Sequence, residues 1–69
     1  MVCKRFLSEL PMGATFMFAP SWAAPVPARL WVKWGYDSFT GDLIAYRVNN
    51  PATKLRISVN RFVSYVFNS

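Results

Sequence analysis

The chain has no histidine, one cysteine, three glycines and three acidic side chains in its 69 residues, and each shortage closes off a class of chemistry. Without an imidazole, a serine or cysteine nucleophile lacks its usual general base. One thiol and three carboxylates cannot assemble an ordinary zinc site, and no intrachain disulfide is available to Cys3. The glycines are isolated from one another, so there is no glycine-rich loop to cradle a phosphate. Lys4 and Arg5 would favour the Cys3 thiolate, but the residue sits near a chain end without a base, as an unpaired thiol with no role. Asp37 and Asp42 flank a turn, where such residues routinely hydrogen-bond their own backbone. No catalytic residue, metal or cofactor is expected.

Charge is missing altogether from residues 10–28, but Pro11, Pro20, Pro25 and Pro27 exclude a continuous membrane-spanning helix there. A secretory signal is disfavoured as well. Lys4 and Arg5 precede the stretch and Ala23-Ala24 is a conceivable cleavage site, yet Glu9 and Pro11 interrupt the apolar region that such a signal requires. The expectation is a protein without membrane association, and a lone thiol fits a reducing cytoplasm.

What the chain does have is aromatic mass and positive charge. Six Phe, three Trp and three Tyr let a short chain build a dense core. Eight Lys and Arg against three acidic residues leave a net charge of +5. On so small a body that field attracts nucleic acid, anionic lipid or an acidic protein surface. The length allows one domain over residues 1–69, comprising an N-terminal segment 1–10 and a β-barrel 11–67. One core of this size yields about 3–5 kcal/mol net, so burial between copies in a homo-oligomer is a further possible source of stability.

Alternating residues predict strands over 15–19, 29–35, 43–49, 53–59 and 62–67. Phe6, Leu7 and Leu10 recur at helical spacing and predict a short helical turn that lids one end. Residues 20–27 form a loop stiffened by proline and carry Trp22. Gly41 is placed to supply the left-handed residue of a hairpin loop, and Asn60-Arg61 to form a 3₁₀ step before the last strand. The pattern places Leu30, Val32, Trp34, Ile44, Tyr46, Val48, Leu55, Ile57 and Val59 inside, with Phe62 and Phe67 also in the core. It places Arg29, Lys33, Lys54 and Arg56 outside.

Five short strands, a long loop after the first and a one-turn break before the last resemble the layout of the SH3-like small barrel. The opening Phe6-x-x-x-Leu10-Pro11-x-Gly13-x-x-Phe16 is also similar to that of small phage and bacterial proteins of this kind. The resemblance covers residues 10–67 and implies an all-β, five-stranded barrel. It brings no binding motif, because the paired tyrosines and acidic loop of the peptide-binding SH3 family are absent. An OB-like barrel is the competing architecture.

Alternation puts Arg29, Trp31 and Lys33 on one side of their strand, and Lys54 and Arg56 on one side of theirs. With Arg47 between, meander order would merge these six into one basic patch around an indole. Such a patch suits a phosphate backbone with a base laid on the aromatic; alternatively it is a solvated face whose Lys and Arg stems cover Trp31. The function expected is non-enzymatic nucleic-acid binding. The alternative is a phage- or plasmid-type interaction module that docks on an acidic host protein, through the same face or through Trp22. Trp22 could also fold back to plug the barrel.

Overall fold

A computed structural model describes residues 1–67 and contains six antiparallel strands in one open sheet. In chain order these are β1 (Val2–Phe6), β2 (Thr15–Met17), β3 (Trp31–Asp37), β4 (Asp42–Arg47), β5 (Asn50–Ile57) and β6 (Phe62–Val66). Their spatial order is β1-β6-β2-β3-β4-β5. The all-β expectation holds. The closed five-stranded barrel does not, because β1 and β5 remain as two edges.

The sixth strand comes from the segment expected to be helical. Three apolar residues at helical spacing cannot nucleate a stable helix alone, and pairing with β6 from Val2↔Val66 to Phe6↔Phe62 satisfies the backbone instead. Only Leu7–Glu9 turns, as a single 3₁₀ turn, with the Glu9 carboxylate accepting from the Phe6 N–H at 2.8 Å. That turn does act as a lid. Leu7 and Leu10 are buried, and the Leu7 and Ser8 N–H groups donate to the Arg61 and Val59 carbonyls. In place of the expected 3₁₀ step at Asn60-Arg61 there is a single hydrogen-bonded turn over Val59 and Asn60, closed by Arg61 N–H to Ser58 O at 3.0 Å. A second 3₁₀ turn, Pro27–Arg29, opens on a proline, whose fixed φ suits that position.

The core lies on one face of the sheet: Leu7, Leu10, Ala14, Phe16, Leu43, Ala45, Ile57 and Val63, with Phe18, Trp31, Val59 and Tyr65 packed against it. Phe16, Phe18 and Trp31 meet edge to face at 5.6 and 5.9 Å, the geometry their ring quadrupoles favour. On the opposite side of β6, buried Ser64 donates its hydroxyl to the Ala19 carbonyl at 2.6 Å and ties the sheet to the start of the proline loop.

The expected phase of β3 and β4 is inverted. Trp31 and Lys33 face the core with Ala45 and Leu43, while Trp34 is 54 % exposed. Val32, Ile44 and Tyr46, placed in the core by the pattern, are half-buried on the opposite face. The cover decides this outcome. Leu7, Leu10 and Ala14 lie over the side that carries Lys33, and the small side chain of Ala45, paired with Lys33, leaves its stem room. A bulge completes it. Lys33 pairs with Ala45 and Gly35 with Ile44, so Trp34 is the extra residue, and bulges re-aim side chains in this way. The phase of β5 agrees with the pattern at Ile57, which is buried, and at Lys54 and Arg56, which are exposed; Leu55 at this edge is exposed rather than buried. Phe62 is likewise exposed, and Phe67 is half-buried and stacked on Tyr65.

Candidate binding surface

Because β3 is inverted, the six residues expected to form one basic patch fall into separate places. Lys33 is only 5 % exposed. Its ammonium donates to the Leu7 and Leu10 carbonyls at 3.0 and 2.6 Å, fastening β3 to the lid. Burial lowers its pKa, since desolvation disfavours the charged form. Trp31 lies against the core with the Arg47 guanidinium 5.4 Å above its ring. Arg47 also donates to the Ala28 carbonyl and Arg29 to the Ala24 carbonyl, so these two side chains brace the proline loop.

Lys54 and Arg56 remain. They lie on the outward face of edge strand β5, where the chain places next to them a residue the pattern had assigned to the core, Trp34. Trp34, Ile44, Lys54, Leu55 and Arg56 line an open groove of about 390 Å³. The Lys54 ammonium stands 5.2 Å from the Trp34 ring centroid, a cation–π contact worth about 0.5–1 kcal/mol at an exposed site. Arg56 is tethered by one bond, Nε to Asp37 Oδ2 at 3.1 Å. Its two terminal amino groups have no protein partner among the described residues. Asp37 is held below the usual carboxylate value, first by the Phe39 N–H and then by Arg56, against an opposing effect of burial. It therefore remains an anion that orients the guanidinium. Its bond from the Phe39 N–H at 2.9 Å is the turn chemistry expected of it, and Gly41 takes the expected left-handed φ of 76°.

A second groove, of about 350 Å³, opens on the other side of the β5 edge between Phe18, Leu55, Arg56, Ile57, Ser58 and Arg61. The Arg61 guanidinium lies 5.1 Å over the Phe18 ring. The sequence pattern had assigned neither residue to a binding surface. A cation at the turn after β5 and an aromatic at the end of β2 are far apart in the chain, and no local spacing links them.

Trp22 does not plug the sheet: it is 85 % exposed on the proline loop. Cys3 is half-buried on β1. Among the described residues, no group of three or more His, Cys, Asp or Glu could hold a metal ion, and no helix is long and apolar enough to cross a membrane. No protein-family model, curated protein or solved structure matches the chain. The SH3-like resemblance thus has no relative behind it, and the class defined here is that of a small open antiparallel β-sheet.

Proposed function

We propose that this chain is a non-enzymatic nucleic-acid-binding protein that grips phosphates with Lys54 and Arg56 and stacks a base on Trp34. One observation carries the proposal: two exposed cations and an exposed indole converge on one open groove, on a body with net charge +5. Lys54 and Arg56 are retained from the patch expected of the sequence. Trp34 replaces Trp31, and Arg29, Lys33 and Arg47 act in the fold. Binding of this kind is weakly sequence-selective, because the described residues form no recognition helix for major-groove readout. The lone thiol is consistent with a reducing, cytoplasmic setting.

The test is a low-salt titration of single- and double-stranded DNA and RNA. Lys54→Ala should flatten the slope of log affinity against log salt by about 0.7–0.9. Trp34→Ala should cost about 1–3 kcal/mol with little change in slope. Absence of binding to every nucleic acid in low salt overturns the proposal. A second reading is favoured by Trp22, whose exposure on a proline-stiffened loop suits an anchor for an acidic protein partner. Under that reading Trp22→Ala gives the dominant loss and nucleic acid does not compete.

A further inference from the structure

We infer that the ligand is single-stranded nucleic acid and that it wraps around the β5 edge, along a track running from Trp34 to Arg61. This deepens the function proposed above and rests on it. The two grooves at β5 are lined in common by Leu55 and Arg56. They are therefore the two sides of one strand edge rather than separate sites. Trp34, Ile44 and Lys54 line one side and Phe18, Ile57, Ser58 and Arg61 the other, with Arg56 at the crest.

Charge and stacking groups follow the same path. Lys54, Arg56 and Arg61 are exposed in that order along the chain. Lys54 and Arg56 are two residues apart on one face, about 6.6 Å at the usual strand rise. That is of the order of the phosphate spacing along an extended strand. Each groove has its own stacking platform: the exposed Trp34 ring on one side, and the Arg61 guanidinium over Phe18 on the other. Unpaired bases stack on aromatic rings and on guanidinium planes alike.

The shape selects single strands. A ligand that reaches both grooves must fold back over the rim of a one-layer sheet within a few nucleotides. Duplex DNA, with a persistence length of about 150 base pairs, cannot make that bend, whereas a single strand can. The sign of the charge argues against a second copy of this chain on the same edge. Pairing β5 with its own copy would bring Lys54 and Arg56 against their equivalents, and like charges facing across strands are destabilising.

The experiment titrates oligo(dT) and oligo(U) of two and eight nucleotides, and an eight-base-pair duplex, into the full chain, followed by fluorescence anisotropy. The eight-nucleotide strands should bind at least tenfold tighter than the two-nucleotide ones and tighter than the duplex. Three neutralised phosphates should give a log–log salt slope of about −2. Arg61→Ala, at an exposed turn, should weaken eight-nucleotide binding about five- to tenfold and bring the slope to about −1.4. Circular dichroism confirms that the variant is folded. If Lys54→Ala and Trp34→Ala weaken binding but Arg61→Ala does not, the track is refuted and the outward groove stands alone. Duplex binding as tight as single-strand binding also refutes it. Failure of every nucleic acid to bind removes the proposed function together with the track.

Discussion

Replacing Lys33 by Met tests whether a buried ammonium holds the lid on the sheet. Methionine keeps the unbranched stem and removes only the charge and its donors. Two hydrogen bonds disappear, of 3.0 Å to the Leu7 carbonyl and 2.6 Å to the Leu10 carbonyl. Leu7 O keeps a second partner, the Leu10 N–H at 3.2 Å, but Leu10 O is left with none among the described residues. An unpaired buried carbonyl costs about 1–3 kcal/mol. Relief of the ammonium's desolvation works in the other direction, so the expected net loss is about 1–2 kcal/mol. For a domain of this length that lowers Tm by roughly 5–15 °C, and it removes a large part of a stability of about 3–5 kcal/mol. The alkaline limb provides an independent readout. With the native pKa depressed below its ordinary 10.5, the unfolded chain holds a proton between the two values that the folded chain has released. Wild-type stability should therefore rise with pH across that window, and the rise attributable to Lys33 should vanish in Lys33→Met. Thermal unfolding by circular dichroism at several pH values measures both effects. An unchanged or raised Tm, or an identical alkaline slope in the two proteins, would refute the fastening role.

Gly13 and Gly41 sit at φ +88° and +76°, so Ala at either should cost about 1–2 kcal/mol, whereas Gly35→Ala should be near neutral; equal effects at all three in denaturant titrations would contradict this. Ser64→Ala strands the Ala19 carbonyl and should cost about 1–3 kcal/mol; a change below 0.5 kcal/mol would show that the 2.6 Å bond contributes little. In an NMR titration the Asp37 carboxyl should lose its proton below the ordinary 3.8, so its ion pair with Arg56 is present above that pH and is lost as pH falls through the lowered value; a midpoint at or above 3.8 speaks against it. Cys3→Ser should leave nucleic-acid binding intact, and a loss beyond tenfold, or about 1.4 kcal/mol, would assign the thiol a role.

Alternation between apolar and polar residues was enough to predict an all-β chain with strands close to β2 through β6, and the turn residues between them a left-handed Gly41 and a self-bonded Asp37. All of these depend on neighbours within a few residues. The same alternation could not say which face of β3 is covered. Trp31 and Lys33 on one side and Val32 and Trp34 on the other each combine apolar surface with strand preference, and a one-residue change of phase exchanges them. The tertiary structure decided between them through contacts distant in sequence: the Leu7 and Leu10 carbonyls that capture Lys33, the small Ala45 across the ladder, and the bulge that turns Trp34 outward. The candidate site was legible only in part for the same reason. Lys54 and Arg56 are exposed whichever strands flank them, because β5 is an edge. The aromatic beside them depended on the phase of β3, and the approach of Arg61 to Phe18 on the pairing of β6 with β2, which sets the residue before β6 beside the one that follows β2.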